Sequence, residues 1–147
     1  MRITVCGSIA FHDEMLEVKE KLEKMGHEVM VPPTEVKDGN GKLISVKDSY
    51  KIRKSWTRDD GWVWERKQEN MVNHFKKVDW SEAILVLNKD KNGVTGYIGG
   101  NTFLEMGMAF FLGRGIFLLN PIPNVPYKEE ILGMSPTVIE GDLEKIR

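Results

Sequence analysis

Cysteine is almost absent: Cys6 is the one cysteine in 147 residues, and it sits inside an apolar run. A disulfide framework is thereby excluded, and a lone thiol fits a reducing compartment, so a cytoplasmic location is the expectation. Histidine is scarce as well. His12, His27 and His74 lack the close spacing of a zinc site, and no metal is expected. No apolar run approaches the roughly 20 residues that cross a bilayer, and "MRITVCGSIA" is too briefly apolar for a cleavable leader, so no membrane partner is expected. Neither sign of charge dominates. The 21 Lys and Arg face 22 Asp and Glu, for a formal net charge of −1, which removes the electrostatic reason to expect nucleic acid. Both GxxxxGK[ST] and GxGxxG are missing, which argues against a Walker-type nucleotide hydrolase and a standard dinucleotide oxidoreductase. There is no internal repeat and no low-complexity tract.

What is present is an alternation of short β-rich runs with helical ones, the pattern of a parallel sheet wrapped by helices. The length and the ordinary composition, 41% hydrophobic and 29% charged, suit one domain over residues 1–147. "RITVC" (Arg2–Cys6) reads as a buried first strand. The turn "GSIAFHDE" follows, then an amphipathic helix carrying Met15, Leu16, Val18, Leu22 and Met25 and ended by Gly26. "HEVMVP" is a second strand stopped by Pro32 and Pro33, and "EAILVLN" (Glu82–Asn88) a third, central one. "GIFLLN" (Gly115–Asn120) and "PTVIEG" (Pro136–Gly141) complete five. The expected fold class is α/β, a flavodoxin-like or Rossmann-like three-layer sandwich around a five-stranded parallel sheet.

Between the second and third strands, a polar, Gly- and Asn-punctuated stretch near 34–61 reads as an insertion or lid. After it, "WVWERKQENMVNHFKKV" reads as a helix with Trp64, Met71, Val72 and Phe75 at its apolar positions. Trp56, Trp62 and Trp64 cluster here, either as packing against the domain or a sister subunit, or as an aromatic wall over a flat ligand.

In an open parallel sheet, ligands bind beyond the carboxyl ends of the strands. Gly7 and Ser8 fall at such an end and offer a tight turn, a hydroxyl and exposed amides, suited to a phosphate or sugar hydroxyl; the turn alone also calls for these residue types. Asn88 and Asn120 end adjacent strands, placed either to hydrogen-bond a base or ribose or to cap the loops that follow. Tyr97, in "TGYIGGN", is a ligand contact at the mouth or loop packing.

From Asn101 to Gly113 the only charged residue is Glu105, in a helix otherwise almost wholly apolar. A buried ionised carboxylate needs partners. Thr102 followed three residues later by Glu105 fits a capping box, in which the Glu reaches back to a backbone amide. The alternative is a carboxylate projecting into the pocket, favoured as an anion by the helix N-terminus and disfavoured by apolar walls, the setting of a tunable nucleophile or general base. Gly99, Gly100 and Gly107 flank it and allow a ligand close to the backbone.

"GSIA" after the first strand, "EAILVLN" as the central strand and "GGNTFLEMGMAFFLGRGIFLLN" as loop, helix and next strand resemble the nucleoside 2-deoxyribosyltransferase superfamily, which includes deoxynucleoside monophosphate N-glycosidases. The resemblance covers most of the chain, and its specific part is the Glu105 segment. It implies cleavage or transfer of the N-glycosidic bond of a nucleoside or nucleoside monophosphate: Glu105 attacks the anomeric carbon and displaces the base, and water or a second base resolves the glycosyl-enzyme. It also makes Gly7 and Ser8 candidate sugar or phosphate contacts. Gly100 and Asn101, in the loop and first turn beside Glu105, are further candidate substrate contacts. No cofactor is implied. A homodimer or larger homo-oligomer is, with the Met- and Phe-rich helix as a packing face.

Two positions depart from the family pattern. Counting back from Glu82 to the usual helical Asp lands on His74, which could orient or protonate a leaving base or be a surface histidine; Asp79 is the nearest carboxylate. Ala10 stands where the monophosphate hydrolases tend to have Arg after "GSI". "GGNTFLE" also resembles the GGxGTxxE signature of phosphoribohydrolases of the lysine-decarboxylase-like family, with Asn101 in place of a motif Gly. The reading from a different class is a module that binds a nucleotide without chemistry.

Overall fold

The computed structural model describes residues 1–55 and 61–147. In chain order its elements are β1 (Arg2–Gly7), α1 (His12–Lys24), β2 (Glu28–Met30), β3 (Glu35–Lys37), β4 (Leu43–Ser45), α2 (Val46–Lys54), α3 (Gly61–Trp80), β5 (Ala83–Leu87), α4 (Gly100–Phe111), β6 (Gly115–Leu118), α5 (Lys128–Gly133) and β7 (Thr137–Val138). The main sheet has the order β2-β1-β5-β6-β7, and every pairing in it is parallel. Counting only its own strands, this is the 2-1-3-4-5 order of flavodoxin-like folds. The expected fold class is borne out. The strands are shorter than the runs that announced them: β2 stops at Met30, ahead of Pro32 and Pro33, which have no N–H to give a ladder.

β5 explains why the sheet is covered on both faces. All five of its residues are buried, and side chains alternate across a strand. Ala83, Leu85 and Leu87 join Ile3, Val5, Met15 and Leu22 in a core beneath α1. Ile84 and Val86 join Cys6, Val78, Met106, Ala109 and Ile131 in a second core beneath α3, α4 and α5. α1 ends as its sequence foretold: the Gly26 N–H donates to the Glu23 carbonyl (3.0 Å) and the His27 N–H to the Leu22 carbonyl (3.1 Å), a Schellman closure that holds Gly26 at φ 92°.

The stretch near 34–61 contains an antiparallel β3–β4 hairpin and α2, whose N-cap Ser45 accepts a 3.0 Å bond from the Asp48 N–H. Lys91, in the loop after β5, pins α2 to the sheet: its Nζ donates to Tyr50 Oη (3.0 Å) and to Ser8 Oγ (2.7 Å). Trp62 lies on the hairpin turn, where a Cβ on Gly39 would come within 2.9 Å of its ring. Trp56 lies outside the described residues. Among the described residues, no helix is long and apolar enough to cross a membrane.

The inward face of α3 differs from expectation. Val63, His74 and Val78 are its buried positions, whereas Trp64 and Val72 are 41% and 44% exposed. A hydrophobic-periodicity reading skips a histidine, and so rotates the helix away from its true face.

Asn88, fully buried, clasps the ends of β5 and β6. Its Nδ2 donates to the carbonyls of Asn120 (2.8 Å) and Pro121 (3.0 Å), and its Oδ1 accepts from the Asn120 N–H (2.9 Å). Asn88→Ala leaves these groups without partners, and urea denaturation should show a loss of about 2 kcal/mol.

Candidate active site

A cavity of about 480 Å³ runs along α3, between that helix, the loop after β2 and the carboxyl end of β1. It lies at the point where the chain leaves β1 towards β2 on one side and β5 on the other, the usual ligand crevice of this strand order. Gly7 contributes to its wall. A Cβ there would crowd Met15 Cε at 3.0 Å and the Leu87 carbonyl oxygen at 3.2 Å, and the Gly7 φ of 157° is one that other residues rarely adopt, so the turn itself favours glycine.

Glu105 forms the floor. α4 begins at Gly100 after an N-cap, Gly99, that makes no side-chain cap. Thr102 therefore sits inside the first turn and Glu105 in the second, and the capping box does not form. Glu105 is 3% exposed instead, and its partners are side chains from three elements. Asn101 Nδ2, one turn back on α4, donates to Oε1 at 3.0 Å. His74 Nε2 on α3 is 3.7 Å from Oε2, and Cys6 Sγ on β1 is 3.5 Å from the same ring nitrogen. His74 is 6% exposed, which overturns its reading as a surface histidine.

Burial sets the protonation of this group. It pushes the Glu105 carboxyl up to a pKa of about 7, against the opposing pull of the Cys6 thiol and the Lys67 cation. It holds His74 down to about 4, with the nearby Lys77 cation adding to the effect and the Val5 carbonyl opposing it. The other ring nitrogen, Nδ1, makes no hydrogen bond of good geometry. At neutral pH the imidazole is uncharged, so its contact with Glu105 is not an ion pair. Burial, then the Glu105 charge, raises the Cys6 thiol well above its usual range.

Four cationic residues line the pocket, Lys76 and Lys77 of α3 among them. The other two, Arg53 on α2 and Lys67 on α3, are both held below their usual range chiefly by burial. Among the described residues, neither has a carboxylate within ion-pairing distance. Lys77 is engaged, donating to the Val31 carbonyl at 2.8 Å.

Of the residues singled out in the sequence, Gly7, His74, Asn101 and Glu105 line this one pocket. The others lie elsewhere. Ser8 Oγ accepts from the Ala10 N–H (3.3 Å) and from Lys91. Asn88 and Asn120 belong to the clasp, Asn120 Nδ2 donating to the Asn88 carbonyl at 3.0 Å. Tyr97 packs over Gly99, its ring 5.4 Å from Lys91 Nζ, and Gly100 is exposed at the first position of α4. Sequence reasoning missed Cys6, Arg53, Lys67 and Trp80. Positions 67, 70, 74 and 77 share one helical face, so following the polar residues around His74 would have found Lys67.

Strand order and the pocket beside β1 define a flavodoxin-like α/β fold with a carboxylate at the floor of its ligand crevice. Among solved structures, the chain is similar to the 2-deoxyribosyltransferase of the psychrotolerant bacterium Bacillus psychrosaccharolyticus, described as a biocatalyst for nucleoside synthesis. The TM-score is 0.50, with 14% identity over 80% of this chain and 71% of that one, a likeness of fold. The Clostridium botulinum CMP N-glycosidase BcmB aligns over 94% of this chain and 85% of its own, at 16% identity and a TM-score of 0.48. No family model matches the sequence, and no curated protein does.

The raised carboxyl pKa has a stability consequence. Between the ordinary 4.5 and about 7, the native state keeps a proton that the unfolded chain has lost, so this group's contribution declines as pH rises through that interval and is constant above it. The depressed His74 acts oppositely, costing stability as pH falls from 6.5 towards about 4. That term is common to wild type and a Glu105→Gln variant. The variant's stability relative to wild type should therefore grow between pH 4.5 and 7 by on the order of 3 kcal/mol, then stay level, in urea titrations across that range.

Proposed function

We propose that this chain cleaves or transfers the N-glycosidic bond of a nucleoside monophosphate, with Glu105 as the nucleophile. The observation that carries the reading is a nearly fully buried carboxylate, hydrogen-bonded by Asn101 and 3.7 Å from the His74 ring, at the floor of a pocket large enough for a nucleotide. The fold it shares with a 2-deoxyribosyltransferase and the resemblance of the Glu105 segment agree with it.

In the first step a Glu105 oxygen attacks the anomeric carbon. The bond to the base breaks with its electron pair, and the base takes a proton from solvent. The carboxylate stabilises the oxocarbenium-like charge that builds on the sugar, and then forms an ester with it. Water attacking that ester completes a hydrolysis, and a second base completes a transfer; either returns Glu105 unchanged. His74, neutral at working pH, is a positioning residue that fixes the carboxylate rather than a proton donor. Arg53 and Lys67 receive the 5′-phosphate, supplying the positive charge that Ala10 does not.

The test is chromatographic detection of free base from a panel of nucleosides and their monophosphates. Wild type should release base, and Glu105→Ala should not. Since attack needs the ionised carboxylate, kcat/KM should rise about tenfold per pH unit at low pH and level off above about 7. Nucleotide binding with no release from any substrate, with or without an acceptor base, would instead establish a binding module.

The phosphate assignment is tested separately. Arg53→Met should raise KM for a monophosphate at least tenfold while leaving the nucleoside's KM within about twofold. Equal effects on both substrates would remove Arg53 from phosphate recognition. Lys67→Met should also move the pH limb upward, because the Lys67 cation favours the ionised carboxylate.

A further inference from the structure

Among the described residues, Cys6, His74 and Glu105 are the one group of three metal-ligating side chains whose donor atoms converge, all within 4.8 Å of one another. We infer that they form a binding site for a divalent cation of the zinc class, through Cys6 Sγ, His74 Nε2 and Glu105 Oε2.

Two of the three donor pairs already stand near the spacing of such a site, and all three donors lie within 4.8 Å of one another, so a bound ion would draw the widest pair together. Ligands ~2.0–2.3 Å from a tetrahedral ion stand ~3.3–3.6 Å apart. Here the sulfur and ring nitrogen are separated by 3.5 Å, and the nitrogen and carboxylate oxygen by 3.7 Å. The three donors come from β1, α3 and α4, each fixed against the same sheet, so the cluster does not depend on a mobile loop. Asn101 holds Oε1 and leaves Oε2 towards the histidine, the kind of outer hydrogen bond that orients a ligating carboxylate.

Charge and softness select the ion. A thiolate and a carboxylate offset two positive charges, and a neutral imidazole adds none, so the loaded cluster is electrically balanced where the protein is driest. One sulfur, one nitrogen and one oxygen donor suit zinc and disfavour magnesium or calcium, which take oxygen. Three protein ligands leave one tetrahedral position, which faces the cavity because His74 and Glu105 line it. Binding forms a metal–sulfur bond and sends the thiol proton to solvent, with no electron transfer. If Glu105 is the nucleophile proposed above, the ion and the sugar compete for the same carboxylate, and the metal acts as an inhibitor.

The experiment is a zinc titration of chelator-treated full-length protein against a chromophoric chelator, with cobalt(II) as a spectroscopic probe. Expected are one equivalent of tightly held zinc and a thiolate-to-cobalt charge-transfer band. Cys6→Ser should abolish that band and weaken zinc binding at least tenfold. His74→Ala and Glu105→Gln should each weaken it similarly while keeping the band, and circular dichroism reports whether each variant folds. Absence of stoichiometric binding, or unchanged affinity in the folded variants, would overturn the site. Base release measured alongside separates the two readings. Release by metal-free protein that zinc suppresses supports competition, and release that persists with zinc bound overturns it. Zinc binding without release from metal-free protein leaves the metal site standing and removes the nucleophile.

Discussion

The desolvation of one carboxylate governs this molecule's candidate site. Glu105 on a helix surface would be an ordinary acid; in the second turn of α4, pressed against the sheet, it holds its proton to about neutral pH. Its neighbours are then constrained in turn. A charged histidine beside it would form an ion pair in a dry place, and burial instead keeps His74 neutral. Asn101 supplies the nearest donor without charge, and Lys67 acts on the carboxylate through space. The result is an acid poised between its two forms, with polar but uncharged support.

The sheet makes that arrangement possible. A parallel strand such as β5 needs apolar cover on both faces, and α3 and α4 supply it on one of them. Where they meet above the end of β1, the apolar layer gives way to Cys6, His74 and Glu105. The crossover from β2 to β5 is long enough to carry a hairpin and α2 as well, and α2 brings Arg53 to the pocket. The segment that reads in the sequence as an insertion or lid thus contributes to one wall of the crevice.

Much of the fold was legible because parallel strands advertise themselves. Runs such as "AILVL" have no solvent face, and Gly26 and Pro32 mark where elements stop. Glu105 was legible for a related reason, as a charge where the pattern admits none. His74 was reached through the family resemblance and its burial was not foreseen, since periodicity counts a histidine as polar and turns α3 the wrong way. Cys6 was hidden because a buried thiol in a strand looks like any small apolar residue. Asn88 and Asn120 were noticed, but no one-dimensional pattern says that two strand-ending amides will close on each other.

The dispersal of the cluster along the chain also shapes its history during synthesis. β1 is made first, and Cys6 then waits for a helix that the ribosome reaches roughly 100 residues later, about 5–20 s at usual elongation rates. In the finished fold the thiol is fully buried. Through that interval it is not, and a thiol oxidised in the nascent chain would present a bulkier, polar group to the space α3 and α4 must later close. The vulnerable moment for this protein is its birth.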